Sequence, residues 1–250
     1  MEKVETEEII LTMTTGTRLD LFIRTMESFL TACQDKDLIS RWIVSDDRSS
    51  TKDLFEMKDR YSFLEIYPSP EPGQLNSLIH VFSIASGTAV NPLQIMKPGK
   101  LIVFTLEDDW DFIRPGHFIR EALAVMREDG RVRNVVLRGW KSPLILNNGQ
   151  YYHLHAYYYP TGELADQFKE ITKTTDCLWP SYSCNPGLQD INSILPILKE
   201  IRARKVADLC WENETGKEFI KRGFRRANLT EKYIQHMGGE RTLFKKSWKV

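Results

Sequence analysis

The stretch LIVFTLEDDW, residues 101–110, sets an apolar run directly against three carboxylates. Leu101, Ile102, Val103, Phe104 and Leu106, with only Thr105 between them, have the hydrophobicity of a strand buried on both faces. Glu107, Asp108 and Asp109 close the run, with Asp111 just beyond. Adjacent acids at the mouth of a core repel one another, and a divalent cation that takes up their charge makes them stable. Hard oxygen ligands suit Mg²⁺ or Mn²⁺, and Mg²⁺ commonly needs only one or two carboxylates when substrate phosphates complete its shell. Acids are also favoured at helix N-termini, so the run is read together with its neighbours.

Outward from this stretch, strand and helix signals alternate. EIILTMT (8–14), RWIVS (41–45), FLEIYP (63–68) and RNVVLRG (133–139) read as strands. DLFIRTMESFLTAC (20–33) carries Leu21, Phe22, Met26, Phe29, Leu30 and Cys33 on one helical face. TKDLFEMKDRY (51–61), QLNSLIHVFSIA (74–85) and RPGHFIREALAVMRE (114–128, opened by Pro115) read as further helices. That order predicts an α/β fold with a mostly parallel central sheet and helices on both faces. Ligands of such sheets sit outside the carboxyl ends of the strands, and the acids of 107–109 lie on that rim.

Beyond residue 139 the pattern changes. QYYHLHAYYYP (150–160) reads as an aromatic strand, paired with PLILNN (143–148). DINSILPILKEIRARK (190–205), interrupted by Pro196, and NETGKEFIKRG (213–223) read as helices; RRANL and KYIQHMG read as short closing strands. The organisation expected is two halves of one domain, 1–139 and 140–250, the latter a smaller β part built onto the same sheet. SGTAVNPLQIMKPGK (86–100) is a long connection without a functional reading.

Composition excludes several classes. The 250 residues are 42% apolar and 27% charged, with 34 basic and 34 acidic side chains, so the global basic excess of a nucleic-acid binder is absent. No apolar run approaches the ~20 residues that span a bilayer, and the acidic start lacks a signal-peptide core. Cys33, Cys177, Cys184 and Cys210 show no zinc spacing, which leaves free thiols in a reducing, cytoplasmic setting. RTLFKKSWKV (241–250) is basic and aromatic; it reads as a solvated tail or a peripheral membrane contact.

Two more strand ends carry polar groups. IVSDDRSS (43–50) ends a strand in Asp46 and Asp47, able to accept from a base N–H or a ribose hydroxyl, or simply to cap a turn. Thr12, Thr14, Thr15, Gly16 and Arg18 follow the first strand, where hydroxyls and a guanidinium fork suit a phosphate or nucleoside.

On these motifs the chain resembles GT-A fold, nucleotide-sugar-dependent glycosyltransferases. RWIVSDDRSS resembles the VVDDGS element of glycosyltransferase family 2 and the matching stretch of N-acetylglucosaminyltransferase I; VFTLEDDW resembles the VVEDDL form of the metal-binding DxD motif. The resemblance implies Asp47 at the nucleoside base, Asp108 near the ribose, Asp109 as direct ligand of Mn²⁺ or Mg²⁺, and Glu107 in support. It places Arg18 where these enzymes carry a nucleotide-contacting loop, near the Thr12 and Thr14 hydroxyls, and Gly73, Gln74 and Asn76 of SPEPGQLNSL beside the diphosphate. SYSCNPGL (181–188) resembles an acceptor-side loop; Trp179, Tyr182 and Trp211 are placed near the acceptor. WENETGKEF (211–219) lies where these enzymes carry their catalytic base, Glu212 or Glu214, with Asp208 third. YIQHMGG (233–239) resembles a C-terminal element whose His236 reaches metal or phosphate. The one departure inside a motif is Arg48 in place of the glycine of DDGS.

The implied activity is sugar transfer from a nucleotide-diphosphate donor, UDP-linked for preference, to a glycan or other hydroxyl acceptor with inversion. Two readings compete. Gly16-Thr17-Arg18-Leu19 matches the GTRL ending of sugar-phosphate nucleotidyltransferases, but Met13, Thr14 and Thr15 replace the preceding glycines and the next lysine is Lys36. A catalytically silent binding module of the same fold is the other.

Overall fold

A computed structural model describes residues 7–87, 101–137, 156–158, 182–206, 211–229 and 231–237. In chain order the elements are β1 (Glu8–Thr15), α1 (Leu19–Ala32), β2 (Ile39–Asp46), α2 (Thr51–Arg60), β3 (Glu65–Pro68), α3 (Gln74–Ala85), β4 (Leu101–Glu107), β5 (Trp110–Phe112), α4 (Phe118–Glu128), β6 (Val132–Val136), β7 (Ala156–Tyr158), β8 (Gly187–Asp190), α5 (Ile191–Ala203), α6 (Trp211–Lys221), β9 (Arg225–Leu229) and β10 (Ile234–His236).

The strands form an eight-stranded sheet in the order β3-β2-β1-β4-β8-β6-β9-β7 and a β10-β5 ribbon. Pairing is parallel across β3-β2-β1-β4 and between β6 and β9, whereas β8 runs against β4 and β6 and β7 runs against β9. The chain leaves β1 toward β2 and β3, then returns through α3 to β4 on the other side of β1. That reversal makes the β1/β4 edge the topological switch point, where open α/β sheets bind ligands.

Alternating side chains divide the core in two. Leu11, Met13, Val44, Phe104 and Leu106 pack under α1, α2 and α4. Ile10, Ile43 and Val103 pack under α3, α5 and α6. Phe29 of α1 joins elements across the first core, with ring centroids 5.2 Å from Phe104, 5.0 Å from Phe112 and 6.1 Å from Phe118. Such aromatic pairs add to plain area burial.

Three local expectations change. The α4 helix starts at Phe118 rather than at Pro115, because Gly116 is engaged in extended pairing: its N–H donates to Ala32 O and its carbonyl accepts from Gln34, both at 3.0 Å. The α5 helix runs through Pro196. The lost backbone bond is offset by burial of Ile191, Ile194, Leu195, Ile197, Leu198 and Ile201, and Asp190 caps its start by accepting from Asn192 and Ser193. GLQD, expected within a loop and a helix start, is the strand β8. The connection at 88–100, most of the aromatic segment at 150–160 and the basic C-terminus lie outside the described residues, as do Cys177 and Cys210; Cys33 and Cys184 are buried and unpaired thiols. No helix among the described residues is long and apolar enough to cross a membrane.

Gly187 begins β8 where it crosses β6, and a Cβ there would lie 1.9 Å from the Val135 carbonyl oxygen. Gly187→Ala is therefore expected to lower stability by about 1–3 kcal/mol in urea titration, whereas Gly130→Ala, with no atom within 4 Å of the added carbon, is expected to be near neutral.

Candidate functional site

The register sets three strand ends side by side: Thr14 lies opposite Glu107 on β4 and Ser45 on β2, and Thr15 opposite Asp46. Only Gly16, Thr17 and Arg18 separate β1 from α1, so their polar groups stay at the rim. Thr15 Oγ1 donates to Asp108 Oδ2 at 2.8 Å, and Gly16 N–H reaches the same oxygen at 3.3 Å. The Arg18 fork spans both aspartates: Nε donates to Asp108 Oδ2 at 3.3 Å, Nη2 is ion-paired with Asp108 Oδ1, and Nη1 donates to Asp109 Oδ2 at 3.0 Å. Asp108 is 0% exposed and Asp109 7%.

His236 arrives through the small ribbon. The β10 strand pairs antiparallel with β5, setting His236 opposite Trp110, with ring centroids 4.9 Å apart. Met237 N–H donates to the Asp109 carbonyl at 2.7 Å, and His236 Nε2 stands 3.4 Å from Asp109 Oδ2. One carboxylate oxygen thus faces a guanidinium and an imidazole.

Asp47 closes the opposite side. Its N–H donates to Thr15 O at 2.7 Å, and its Oδ2 accepts from Gly73 N–H at 2.8 Å. Gly16 is required here, because a Cβ would lie 2.6 Å from the Asp47 carbonyl oxygen. Asp46 Oδ1 and Asp47 Oδ1 are buried atoms with no hydrogen-bond partner among the described residues. Thr17 (φ 53) and Arg48 (φ 69) both occupy the left-handed region, which costs a non-glycine residue about 1–2 kcal/mol. Arg48 thus takes up a backbone conformation that glycine adopts at least cost. Thr17 N–H donates to Ser49 Oγ at 3.0 Å, tying the two loops together.

Glu107 faces neutral donors. Gln74 Nε2 donates to its Oε1, Cys184 Sγ lies 3.8 Å from the same oxygen, and Trp110 Nε1 donates to Oε2 at 3.2 Å. Cys184 also holds Glu212, whose Oε1 accepts from the Cys184 N–H at 2.8 Å. Glu212 is thereby tethered beside Glu107, whereas Glu214 pairs with Lys217 Nζ at 2.5 Å on the exposed side of α6.

The electrostatics follow from these partners. Burial, reinforced by Asp109 and Glu212, pushes Glu107 up to about 8. Burial pushes Asp108 to about 6 despite the opposing pull of Arg18. Asp109 is also raised by burial, but His236 and Arg18 more than offset this and leave it below the usual carboxylate range. Burial and the nearby Glu107 and Glu212 raise the Cys184 thiol, so it is a weak donor rather than a thiolate nucleophile.

Several expected site residues stand elsewhere. Thr12 is 0% exposed and lies with Thr14 on the sheet face opposite to Thr15, so Thr15 makes the carboxylate contact. Asn76 folds back to donate to Pro72 O at 2.8 Å. Tyr182 and Trp211 are 0% and 2% exposed, packed with Phe219 in the core under α6, and neither offers a ring face to a sugar. Trp179 and Asp208 lie outside the described residues. Sequence reasoning passed over Cys184, whose contacts join Glu107 to Glu212, and Trp110, which touches both Glu107 and His236; the adjacency of Trp110 to the acids was the available signal.

Among the described residues no three His, Cys, Asp or Glu side chains gather as a metal cage. Asp109 and His236 are a carboxylate and an imidazole on one spot, a donor pair that fits a divalent cation whose remaining ligands are phosphate oxygens and water.

Solved structures share the architecture. GalNAc-T7 with UDP, GalNAc and Mn²⁺ matches with a TM-score of 0.53 and 12% identity, over 91% of this chain and 43% of that one. S. aureus TarS in complex with UDP matches with a TM-score of 0.51 and 12% identity, over 91% of this chain and 59% of that one. 4-Diphosphocytidyl-2C-methyl-D-erythritol synthase from Anaerococcus prevotii matches with a TM-score of 0.48 and 11% identity, over 89% and 87%. The chain thus shares the GT-A-like α/β fold of the first two proteins, and it spans less than two thirds of each of them. No family model matches the sequence, and no curated protein does.

Glu107 gives a pH signature with a definite sign. Its folded value, about 8, lies above its ordinary 4.5, so the folded state holds the extra proton and stability falls as pH rises between the two. Glu107→Gln is expected to melt higher than the parent at pH 8.5, with the gap closing toward pH 5, in thermal scans without added metal.

Proposed function

We propose that the protein is a metal-dependent glycosyltransferase that moves a sugar from a nucleotide-diphosphate donor, with UDP favoured, to a hydroxyl acceptor. The observation that carries this reading is the meeting of Asp108, Asp109, Arg18 and His236 at the β1/β4 edge, with Asp47 on one side and Glu212 on the other. Asp47 Oδ1, which accepts no hydrogen bond among the described residues and faces Arg48 Nε at 3.9 Å, suits a base N–H, and Asp108 suits a ribose hydroxyl. Arg18, Gly73 and Gln74 line the course of the diphosphate. Residues 1–139 then serve the donor and 140–250 the acceptor.

In the proposed chemistry Glu212 takes the proton of the acceptor hydroxyl as its oxygen attacks the anomeric carbon. The bond from that carbon to the diphosphate oxygen breaks, giving inversion through an oxocarbenium-like state. Asp109 and His236 would hold Mn²⁺ or Mg²⁺, which when bound neutralises charge on the leaving diphosphate. The Cys184 N–H fixes the Glu212 carboxylate, so the base is oriented by backbone rather than by a mobile side chain. The buried thiols of Cys33 and Cys184 support a reducing, cytoplasmic setting.

Incubation with a panel of nucleotide sugars and Mn²⁺, with and without EDTA, tests the reading. Metal-dependent release of the nucleoside diphosphate is expected; pyrophosphate release from a nucleoside triphosphate plus a sugar phosphate would instead identify a nucleotidyltransferase, and absence of turnover and of nucleotide binding would leave a silent module. Asp109→Asn is expected to abolish turnover. Glu212→Gln is expected to lower kcat by about 10²–10⁴ with donor binding intact, and Glu214→Gln to leave it nearly unchanged.

A further inference from the structure

Arg18 raises a question that the proposed activity does not answer. Its Nη1 occupies Asp109 Oδ2 at 3.0 Å, the same oxygen that His236 Nε2 approaches at 3.4 Å. A divalent cation bound between Asp109 and His236 would sit about 2.0–2.2 Å from that oxygen, against the guanidinium. Two cations at that separation in a partly desolvated pocket repel strongly. Arg18 need not leave the site to relieve this, because Nε and Nη2 keep Asp108. The side chain is 25% exposed, and its backbone is anchored where α1 starts, with Phe22 N–H donating to Arg18 O at 3.0 Å. Nη1 is the one nitrogen of the fork that contacts Asp109 rather than Asp108.

We infer that Arg18 is the resident counter-cation of Asp109 in the nucleotide-free protein, and that it passes its Nη1 contact to the donor's diphosphate when metal and nucleotide bind. The inference rests on the metal-dependent reading above. It requires divalent cation and nucleoside diphosphate to bind with positive coupling: the metal alone has to displace a guanidinium, whereas the metal with a diphosphate gives that guanidinium a new anionic partner.

The test uses MnCl₂ and UDP as probes and reads binding, not turnover. Mn²⁺ affinity is measured by titration calorimetry and by electron paramagnetic resonance of free Mn²⁺, with and without saturating UDP, on the parent protein, Arg18→Gln and Arg18→Lys. In the parent, UDP is expected to tighten Mn²⁺ binding by about tenfold or more. Arg18→Gln is expected to bind Mn²⁺ about tenfold more tightly than the parent without UDP, and to lose most of the coupling. Arg18→Lys keeps the charge but cannot span both carboxylates; it is expected to fall between and decides the matter if Arg18→Gln does not fold. If the folded variants bind Mn²⁺ alone no more tightly than the parent, the role given to Arg18 is wrong even where UDP and Mn²⁺ both bind. If the parent binds no Mn²⁺ with UDP present at millimolar concentrations, the metal-dependent reading and the inference fall together.

Discussion

Desolvation of two neighbouring carboxylates is the constraint around which the rim is built. Asp108 and Asp109 stand side by side with almost no access to water, an arrangement that costs several kcal/mol per uncompensated charge. Arg18 makes it tolerable by bridging both. The backbone follows from that bridge: the β1–α1 link has to be short enough to hold Arg18 over the end of β4, bare enough at Gly16 to admit Asp47, and bent into the left-handed region at Thr17. Strain at such a position is characteristic of functional sites.

The two aspartates nevertheless diverge. Asp108 has more hydrogen-bond donors but lies deeper, and burial carries it to about 6; Asp109, nearer the surface and shared between Arg18 and His236, falls below the usual range. Glu107, one pleat away and facing only neutral donors, keeps its proton to about 8. Three consecutive acids therefore have three characters: burial raises all of them, Asp109 and Glu212 add to it at Glu107, Arg18 opposes it at Asp108, and His236 with Arg18 overcomes it at Asp109. The most acidic of them is the one that stands beside an imidazole.

Much of the fold was legible because its central elements carry strong periodic signals: the apolar runs of β1 and β4 and the stripe of Leu21, Phe22, Met26 and Phe29 on α1 leave little choice. Short elements escaped. The β5 strand spans Trp110–Phe112 and β8 spans Gly187–Asp190, lengths at which a period of two cannot assert itself. The start of α4 was misplaced because Gly116 pairs with the end of α1, a contact distant in sequence. At the site, the carboxylates and Asp47 announced themselves by standing at strand ends. The contacts of Arg18 with Asp109 and of Cys184 with Glu212 were hidden because tertiary folding alone brings them together. Thr12 and Thr15 differ only in which sheet face they occupy, and Tyr182 and Trp211 are apolar mass in the core; residue type alone says nothing of either.

The reversed direction of β8 carries a further consequence. Because β8 opposes β4 and β6, its first residue, Gly187, lies level with Thr105 and Val136, at the rim end of both neighbours. The chain that departs from β6 and the chain that re-enters β8 thus meet almost at one point, joined by the bond from Leu137 N–H to Pro186 O at 3.0 Å. That closure holds the β4–β8–β6 ladder whatever the length of the chain between, a chain that itself supplies β7 to the sheet edge and the buried Tyr182 and Cys184.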